Sequence, residues 1–186
     1  MMGILEKAIL FAIERHAGMV RKGTDVPYIV HPLEAVSIAA GITSDPEVLS
    51  AAVLHDVVED TPATIEEIET AFGKRIARLV AADSEDKMPN IPASESWKIR
   101  KEATIKALQS ASLDEKIIVL SDKLSNIRAI YRDYVKMSDE IWNRFNQKDK
   151  KMHEWYYRAI ADNTTELSNE AAHQEYCRLV DFIFGE

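Results

Sequence analysis

Apolar residues recur along this chain at the three- and four-residue spacing of one helix face, without the strict alternation of a half-buried strand. Ile4, Leu5, Ala8, Ile9, Ala12 and Ile13 predict a first helix over 4–16, closed by His16-Ala17-Gly18. Arg21-Lys22-Gly23-Thr24-Asp25-Val26-Pro27-Tyr28 then reads as a loop, two adjacent cations followed by turn residues. His31-Pro32 opens the next helix, with Pro at the first helical position, where its missing N–H would be unpaired anyway. Leu33, Ala35, Val36 and Ile38 carry that helix to Gly41. Asp45-Pro46 repeats the device with Asp as N-cap. The central helix that follows runs through Ala51-Ala52-Val53-Leu54-His55-Asp56-Val57-Val58 and should stop near Asp60.

Two capping boxes punctuate the rest. Thr64-Ile65-Glu66-Glu67 opens a short helix ending at Gly73, and Ser112-Leu113-Asp114-Glu115 opens one with Ile117, Ile118, Leu120, Leu124 and Ile127 on its apolar face. Between them, Ile76, Leu79 and Val80 mark a helix, and residues 83–93, with Pro89 and Pro92, read as an exposed loop. A further helix spans about Ser94 to Gln109. The C-terminal part is again helical, around Ile141, Trp142 and Phe145, then Trp155, Tyr156 and Tyr157, then Leu179, Val180, Phe182 and Ile183. With no internal repeat, low-complexity tract or convincing strand, the pattern predicts an all-α, multi-helix bundle forming a single domain over residues 1–186.

Composition narrows the function classes. A length of 186 residues suffices to bury a real core, and only 6 Gly and 6 Pro leave too little punctuation for an all-β fold. The net charge of −8 argues against a broad nucleic-acid-binding surface, so an anionic substrate would have to be met locally by a metal or a few Lys and Arg. Cys177 is the one cysteine, which excludes an internal disulfide and a thiolate cluster; between Tyr176 and Leu179 it reads as a packed thiol. Met1-Met2-Gly3-Ile4-Leu5-Glu6-Lys7 lacks the basic start and apolar run of a signal peptide, and no segment approaches a membrane span, so a cytoplasmic location is the expectation. The apolar C-terminal aromatics suit either core or a homo-oligomer interface.

The candidate chemistry lies in His55-Asp56-Val57-Val58-Glu59-Asp60. On a continuous helix His55 lies over Glu59, and Asp56 over Asp60. Burying these groups beside Val53, Leu54, Val57 and Val58 is expensive unless their charge is compensated, and a divalent cation would compensate it. The plainer alternative is the polar edge of an amphipathic helix. His31, His55, Asp56 and Asp122 have the chemistry to hold one ion, two imidazoles and two carboxylates suiting Mn²⁺, Fe²⁺, Zn²⁺ or Co²⁺ better than Ca²⁺. Water acidified by such an ion would be the nucleophile. Each ligand has its ordinary reading too: His31 as a helix cap, Asp122 as a surface residue pairing with Lys123 or Arg128. Asp122 and Asn126, four apart, share a helix face.

Several stretches carry a resemblance over roughly the whole chain. They are His16-Ala17-Gly18-x-x-Arg21-Lys22-Gly23, Pro27-Tyr28-x-x-His31-Pro32-Leu33-Glu34, Leu54-His55-Asp56-Val57-Val58-Glu59-Asp60-Thr61 and Ser121-Asp122-Lys123-Leu124-Ser125-Asn126-Ile127-Arg128. Glu85-Asp86-Lys87, Arg100-Lys101-Glu102-Ala103-Thr104 and the stretch from Trp142 to Tyr157 add to them. The chain resembles the metal-dependent His-Asp (HD) phosphohydrolase superfamily, and within it the hydrolase domain of RelA/SpoT-type alarmone enzymes, above all the stand-alone small alarmone hydrolases. The resemblance implies an HD-type bundle that removes the 3′-pyrophosphate of guanosine tetra- or pentaphosphate, giving GDP or GTP and pyrophosphate. By that likeness His31, His55, Asp56 and Asp122 hold Mn²⁺, or another divalent transition metal, and Glu59 and Asp60 orient and deprotonate the attacking water. Arg21 and Lys22 would line the nucleotide site, Asn126 would bond near ribose or phosphate, and Tyr28 would pack on the nucleoside unless it is structural.

Departures from the family pattern bear on the substrate more than on the reaction. Asp122-Lys123-Leu124-Ser125-Asn126 stands where Asp-Arg-Leu-His-Asn is usual, and Gly23-Thr24-Asp25-Val26 stands where the long enzymes have Ser-Gly-Glu. The synthetase and regulatory parts of those enzymes have no counterpart in this sequence. His16 has no role beyond supporting the site, and His153 and His173 read as bystanders in surface helices. Three rival functions stay open: an HD phosphohydrolase of another nucleotide, such as NADPH or a nucleoside phosphate; a non-catalytic alarmone-binding sensor; and a plain helical interaction module.

Overall fold

A computed structural model of the chain describes residues 2–85, 88 and 90–185. Asp86 and Lys87 of the Glu85-Asp86-Lys87 likeness, and Pro89 of the predicted loop, lie outside the described residues. Among the described residues every regular element is helical, and the one β-type contact is an isolated bridge between Val20 and Pro27. The α-helices are α1 (Ile4–Arg15), α2 (Val30–Ala39), α3 (Pro46–Leu54), α4 (Val57–Asp60), α5 (Ile65–Phe72), α6 (Lys74–Asp83), α7 (Ala93–Leu108), α8 (Leu113–Met137), α9 (Lys150–Asn163) and α10 (Ala171–Phe184). Short 3₁₀ segments occupy Ser138–Arg144 and Thr165–Leu167.

The architecture follows from two helices that cannot face water. Val48, Leu49, Ala51, Ala52, Val53 and Leu54 are all buried, so α3 is apolar on every side and must be wrapped. α1, α2, α6 and α8 pack around it. The second axis is α8, whose Ile117, Ile118, Leu120, Leu124 and Ile127 are buried and against which α2 and α10 lie. α9 joins this core through α10 and α7. Trp142, Tyr156, Tyr157, Tyr176 and Phe184 are buried together in the C-terminal half, so these aromatics are core. No helix among the described residues is long and apolar enough to cross a membrane.

The caps fall where local chemistry puts them, with one exception. Asp45 Oδ1 accepts the Glu47 N–H at 2.9 Å and Pro46 is the first helical residue, as predicted. At Ser112 both arms of the box form: its N–H donates to Glu115 Oε2 at 2.6 Å, and the Glu115 N–H donates to Ser112 Oγ at 3.4 Å. At Thr64 one arm forms, from the Glu67 N–H at 3.3 Å, while the Glu67 carboxylate pairs instead with Arg15. Gly73 links α5 to α6 at φ 90°, a backbone that a side chain would strain.

Four expectations need correction. First, α2 starts at Val30, so Pro32 is its third residue; the turn begins earlier because the His31 N–H donates to the Tyr28 carbonyl at 2.9 Å. Pro32 still occupies a position whose N–H would lack an intrahelical partner. Second, the central helix is not continuous to Asp60. It breaks at His55-Asp56, where the His55 ring bonds through Nδ1 to the Ala52 carbonyl at 2.8 Å, the carbonyl an unbroken helix would give to the Asp56 N–H. Third, the helical stretch around Ile141 and Trp142 is a 3₁₀ segment that ends at Arg144, so Phe145 lies beyond it in extended backbone. Fourth, His153 and His173 are buried rather than on the surface, their Nε2 atoms meeting the carbonyls of Gln147 at 2.9 Å and Ala161 at 3.3 Å.

Because α8 carries Asp122 and begins at a complete box, its cap matters to the whole bundle. Ser112→Ala is expected to lower unfolding free energy by about 1 kcal/mol, measured by urea denaturation, without changing the m-value.

Candidate metal centre and nucleotide cavity

Three chain segments bring the predicted donors to one point. His31 lies in the first turn of α2, His55 and Asp56 form the break between α3 and α4, and Asp122 sits midway along α8. The ligating atoms of His31, His55 and Asp122 all lie within 4.8 Å of one another. His31 Nε2 is 3.2 Å from His55 Nε2 and 3.1 Å from Asp122 Oδ1. Asp56 Oδ2 lies 3.1 Å from His55 Nε2 and 3.3 Å from His31 Nε2. His55 and Asp56 both keep right-handed helical angles, yet the longer imidazole and the shorter carboxylate still reach one centre.

The donors fit a divalent ion. The Ala52 carbonyl only accepts, so His55 Nδ1 keeps its proton and Nε2 is the nitrogen that faces the cluster. Burial alone would push the His55 pKa down, yet Asp56 and Asp122 outweigh it and hold it well above the ordinary value. Burial likewise opposes ionisation of Asp56, but His55 and His31 keep that carboxyl well below the usual range. Asp122 is held low against burial by Lys123 and the two imidazoles. The cluster therefore draws positive charge, and its two nitrogens and carboxylate oxygens suit a divalent transition metal.

The groups around it are tied in tightly. The Tyr28 hydroxyl lies 2.6 Å from both Asp56 Oδ2 and Asp60 Oδ2, which confirms the shared face of the two aspartates. Burial, then those two carboxylates, raises the Tyr28 pKa and keeps the phenol neutral. His16 is buried against the Tyr28 ring, centroids 5.0 Å apart, and burial lowers its pKa. Asn126 Nδ2 donates to Asp122 Oδ1 at 2.5 Å, while its own Oδ1 accepts from Arg21 Nη2 at 2.8 Å. Glu59 is half-buried; burial, then Asp56, Glu85 and Asp60, pushes its carboxyl up to about 7.

Asn126 and Arg21 lead from the cluster into a cavity of about 340 Å³. Arg21, Lys22, Tyr28 and Asn126, the four residues singled out for substrate, all line it. The loop that presents Arg21 and Lys22 is closed by the Arg21 N–H to the Val26 carbonyl at 2.8 Å, and it turns at Gly23 with φ 74°. The sequence reading missed Trp97, Lys101, Lys123, Arg144, His153 and Tyr156, which are also part of the wall. A partial signal existed: Lys101 belongs to the Arg100–Thr104 stretch that carries part of the resemblance, and it ties this wall to Glu85, which with Arg100 and Thr104 lines a second cavity. Glu85 accepts from Lys101 at 2.7 Å, Thr104 at 2.9 Å and Arg100 at 3.0 Å. Lys101 also lies 4.8 Å from the centroid of the Tyr156 ring. That second cavity, of about 420 Å³ between α6, α7 and α8, contains none of the predicted site residues.

The chain is similar to known proteins. A family model described as HD domain matches residues 8–149. The guanosine-3′,5′-bis(diphosphate) 3′-pyrophosphohydrolase MESH1 of Danio rerio is 34% identical over 160 residues, 84% of this chain and 82% of that protein. The bifunctional (p)ppGpp synthase/hydrolase SpoT of Escherichia coli K12 is 36% identical over 128 residues, 68% of this chain but 18% of that longer protein. A solved structure, titled as a metazoan ortholog of SpoT that hydrolyzes ppGpp, superposes with a TM-score of 0.75 at 25% identity, covering 100% of this chain and 97% of that one.

The position of Glu59 gives a pH signature. A carboxyl whose folded pKa is raised from 4.5 to about 7 favours the folded state at low pH, and that advantage disappears as pH rises through 7. In protein stripped of divalent ions, Glu59→Gln should therefore raise the melting temperature at pH 8 more than at pH 5, measured by scanning calorimetry. A gap of equal size at both values would contradict this account of Glu59.

Proposed function

The chain belongs to the HD domain family as a phosphohydrolase, and from that premise we propose that it removes the 3′-pyrophosphate of guanosine tetra- or pentaphosphate, with Mn²⁺ as its ion. The observation that carries this reading is adjacency. Through Asn126, which bonds to both Asp122 and Arg21, a buried His/Asp donor cluster is joined to a cavity whose wall gathers Arg21, Lys22, Lys101, Lys123 and Arg144, in a chain of net charge −8. Such a concentration of cations beside aromatic rings suits a nucleotide bearing several phosphates. The guanosine and the position of the pyrophosphate are carried over from the named activities of the relatives.

In this reading His31, His55, Asp56 and Asp122 hold the cation. When bound, it supplies charge stabilisation to a phosphoryl oxygen and acidity to water. Glu59, raised to about 7, is matched to take a proton at neutral pH, and Asp60 is aligned beside it through Tyr28. Water oxygen bonds to the phosphorus next to the ribose 3′-oxygen, its proton passes to Glu59, and the P–O3′ bond breaks. The leaving 3′-oxygen takes up a proton, giving GDP or GTP and pyrophosphate. Arg21 and Lys22 hold phosphates, and Asn126, fixed between Arg21 and Asp122, aligns the substrate with the cluster. Tyr28 acts on the carboxylates through its hydroxyl and lines the cavity, with the Arg21 guanidinium over its ring.

Retention of two carboxylates at 59 and 60 speaks against a non-catalytic sensor, which has no use for groups that activate water. Another nucleotide on the same scaffold is favoured by one particular feature, the Lys123 and Ser125 substitutions beside Asp122.

The deciding experiment is turnover of guanosine tetraphosphate by metal-stripped protein with and without added Mn²⁺, products separated by anion exchange. GDP and pyrophosphate should appear with the ion and not without it. No turnover by protein that demonstrably binds Mn²⁺ would transfer the reading to another nucleotide. Asp122→Ala should lose ion and turnover together, whereas Glu59→Gln should keep the ion and lose turnover by about 10²-fold or more. Both are read by metal analysis beside the same assay.

A further inference from the structure

His31 turns Nε2 toward the donor cluster and Nδ1 away from it, toward α8. There Nδ1 meets the Ser125 hydroxyl at 2.8 Å, and that hydroxyl lies 2.8 Å from Glu34 Oε2. His31 and Glu34 are one turn apart on α2, and Ser125 and Arg128 one turn apart on α8, so the two pairs face each other across the α2–α8 contact. Arg128 completes the arrangement. Its Nη1 reaches Glu34 Oε1 at 3.2 Å, and its Nε and Nη2 hold the two oxygens of Glu175, on α10, at 2.7 Å each. A continuous series of hydrogen bonds thus runs from α10 to the donor cluster.

Proton accounting gives the series a direction. An ionised carboxylate can only accept, so the single hydroxyl proton of Ser125 goes to Glu34. Ser125 Oγ must then accept from the imidazole, which keeps a proton on His31 Nδ1 and makes Nε2, the nitrogen facing Asp56, His55 and Asp122, the one that can be given to a cation. At 1% exposure Ser125 has no access to water as a substitute partner. His55 obtains the same tautomer from a backbone carbonyl, whereas His31 depends on two side chains.

We propose that Ser125, backed by Glu34, is a positioning residue that sets the tautomer and ring orientation of His31 for cation binding. The inference rests on His31 as a metal ligand and not on the identity of the nucleotide. It also gives a local account of the departure at 125: the serine here is completed by the carboxylate of Glu34, which Arg128 holds in position. Outer partners of metal-binding histidines govern affinity through orientation and basicity.

The test uses the full chain without substrate. Mn²⁺ affinity is measured by isothermal titration calorimetry. The His31 tautomer is read in metal-free protein from the ring ¹⁵N shifts in long-range ¹H–¹⁵N spectra. Wild type should show the Nδ1-protonated form. Ser125→Ala should admit the Nε2-protonated form and weaken Mn²⁺ binding by about 10–100-fold. Ser125→Thr, which keeps the hydroxyl, should restore most of the affinity. Glu34→Ala, on the half-exposed face of α2, tests the relay without disturbing the core and should shift both readouts in the same direction by less. Wild-type affinity and an unchanged tautomer in Ser125→Ala and Glu34→Ala would overturn the proposal. So would lost affinity with the tautomer unchanged, which would make Ser125 a packing residue only. If wild type binds no Mn²⁺, the metal reading above falls, while the ring shifts still decide whether Ser125 sets the tautomer.

Discussion

Everything in this molecule depends on how two imidazoles and two carboxylates are held together out of water. Left apart, each would resist burial; brought to within about a hydrogen bond of one another, they sustain each other's charged or lone-pair forms and create a site that favours a cation. The fold is arranged so that no single element can provide this alone. The first turn of α2, the break after α3 and the middle of α8 each supply one part. The apolar all-round surface of α3 forces the other helices to enclose it, and that enclosure brings α2 and α8 against its C-terminal end. Hydrophobic packing thereby assembles a polar cluster whose own energetics would not assemble it.

The second constraint is electrostatic segregation. An acidic chain that must receive an anionic ligand needs its cations concentrated where the ligand lies, and here they come from distant segments. Arg21 and Lys22 lie before α2, Lys101 on α7, Lys123 on α8 and Arg144 at the end of a 3₁₀ segment. Acidic partners hold several of them in position: Glu85 takes Lys101 and Arg100, Asp133 takes Arg144 at 2.6 Å, and Asp122 takes Lys123. Lys101, Lys123 and Arg144 are thus oriented before any ligand arrives, which reduces the ordering that binding must pay for.

What the sequence revealed and what it hid divide along the range of the interactions. The caps at Asp45 and Ser112 were legible because a side-chain oxygen and a backbone N–H two or three residues on decide them. The donor set was legible because His and Asp within an apolar run are out of place without a partner. The break at His55 was not, since His55 itself has helical angles, φ −52° and ψ −43°, and what ends the helix is its ring bonding to a carbonyl. His153 and His173 were read as surface residues because imidazole counts as polar. Each finds a backbone carbonyl, and His153 stacks on Trp142 at 4.8 Å between centroids, so burial leaves nothing unmatched at Nε2. The reciprocal arm at Thr64 failed for a long-range reason, the competing Arg15 on α1.

Asp122 shows why the departure at 123 bears on the cavity rather than on the donor cluster. One of its oxygens serves the imidazoles and Asn126, and the other is held by Lys123. An arginine at 123 would present a planar fork, able to grip the carboxylate with two parallel bonds or to divide itself between Asp122 and a phosphate. Lysine presents one compact charge on a flexible stem. Here burial works against that charge, but Asp122 first, then Tyr156, Asp83 and Glu85, hold it well above the ordinary lysine pKa. Its ammonium pairs with Asp122 while forming part of the cavity wall. The side of Asp122 that faces the imidazoles is the same whichever cation backs it, whereas the charge and donors offered to a ligand in the cavity change with it. Substitution at 123 alters what the cavity can grip while leaving the cluster's demand for a cation intact.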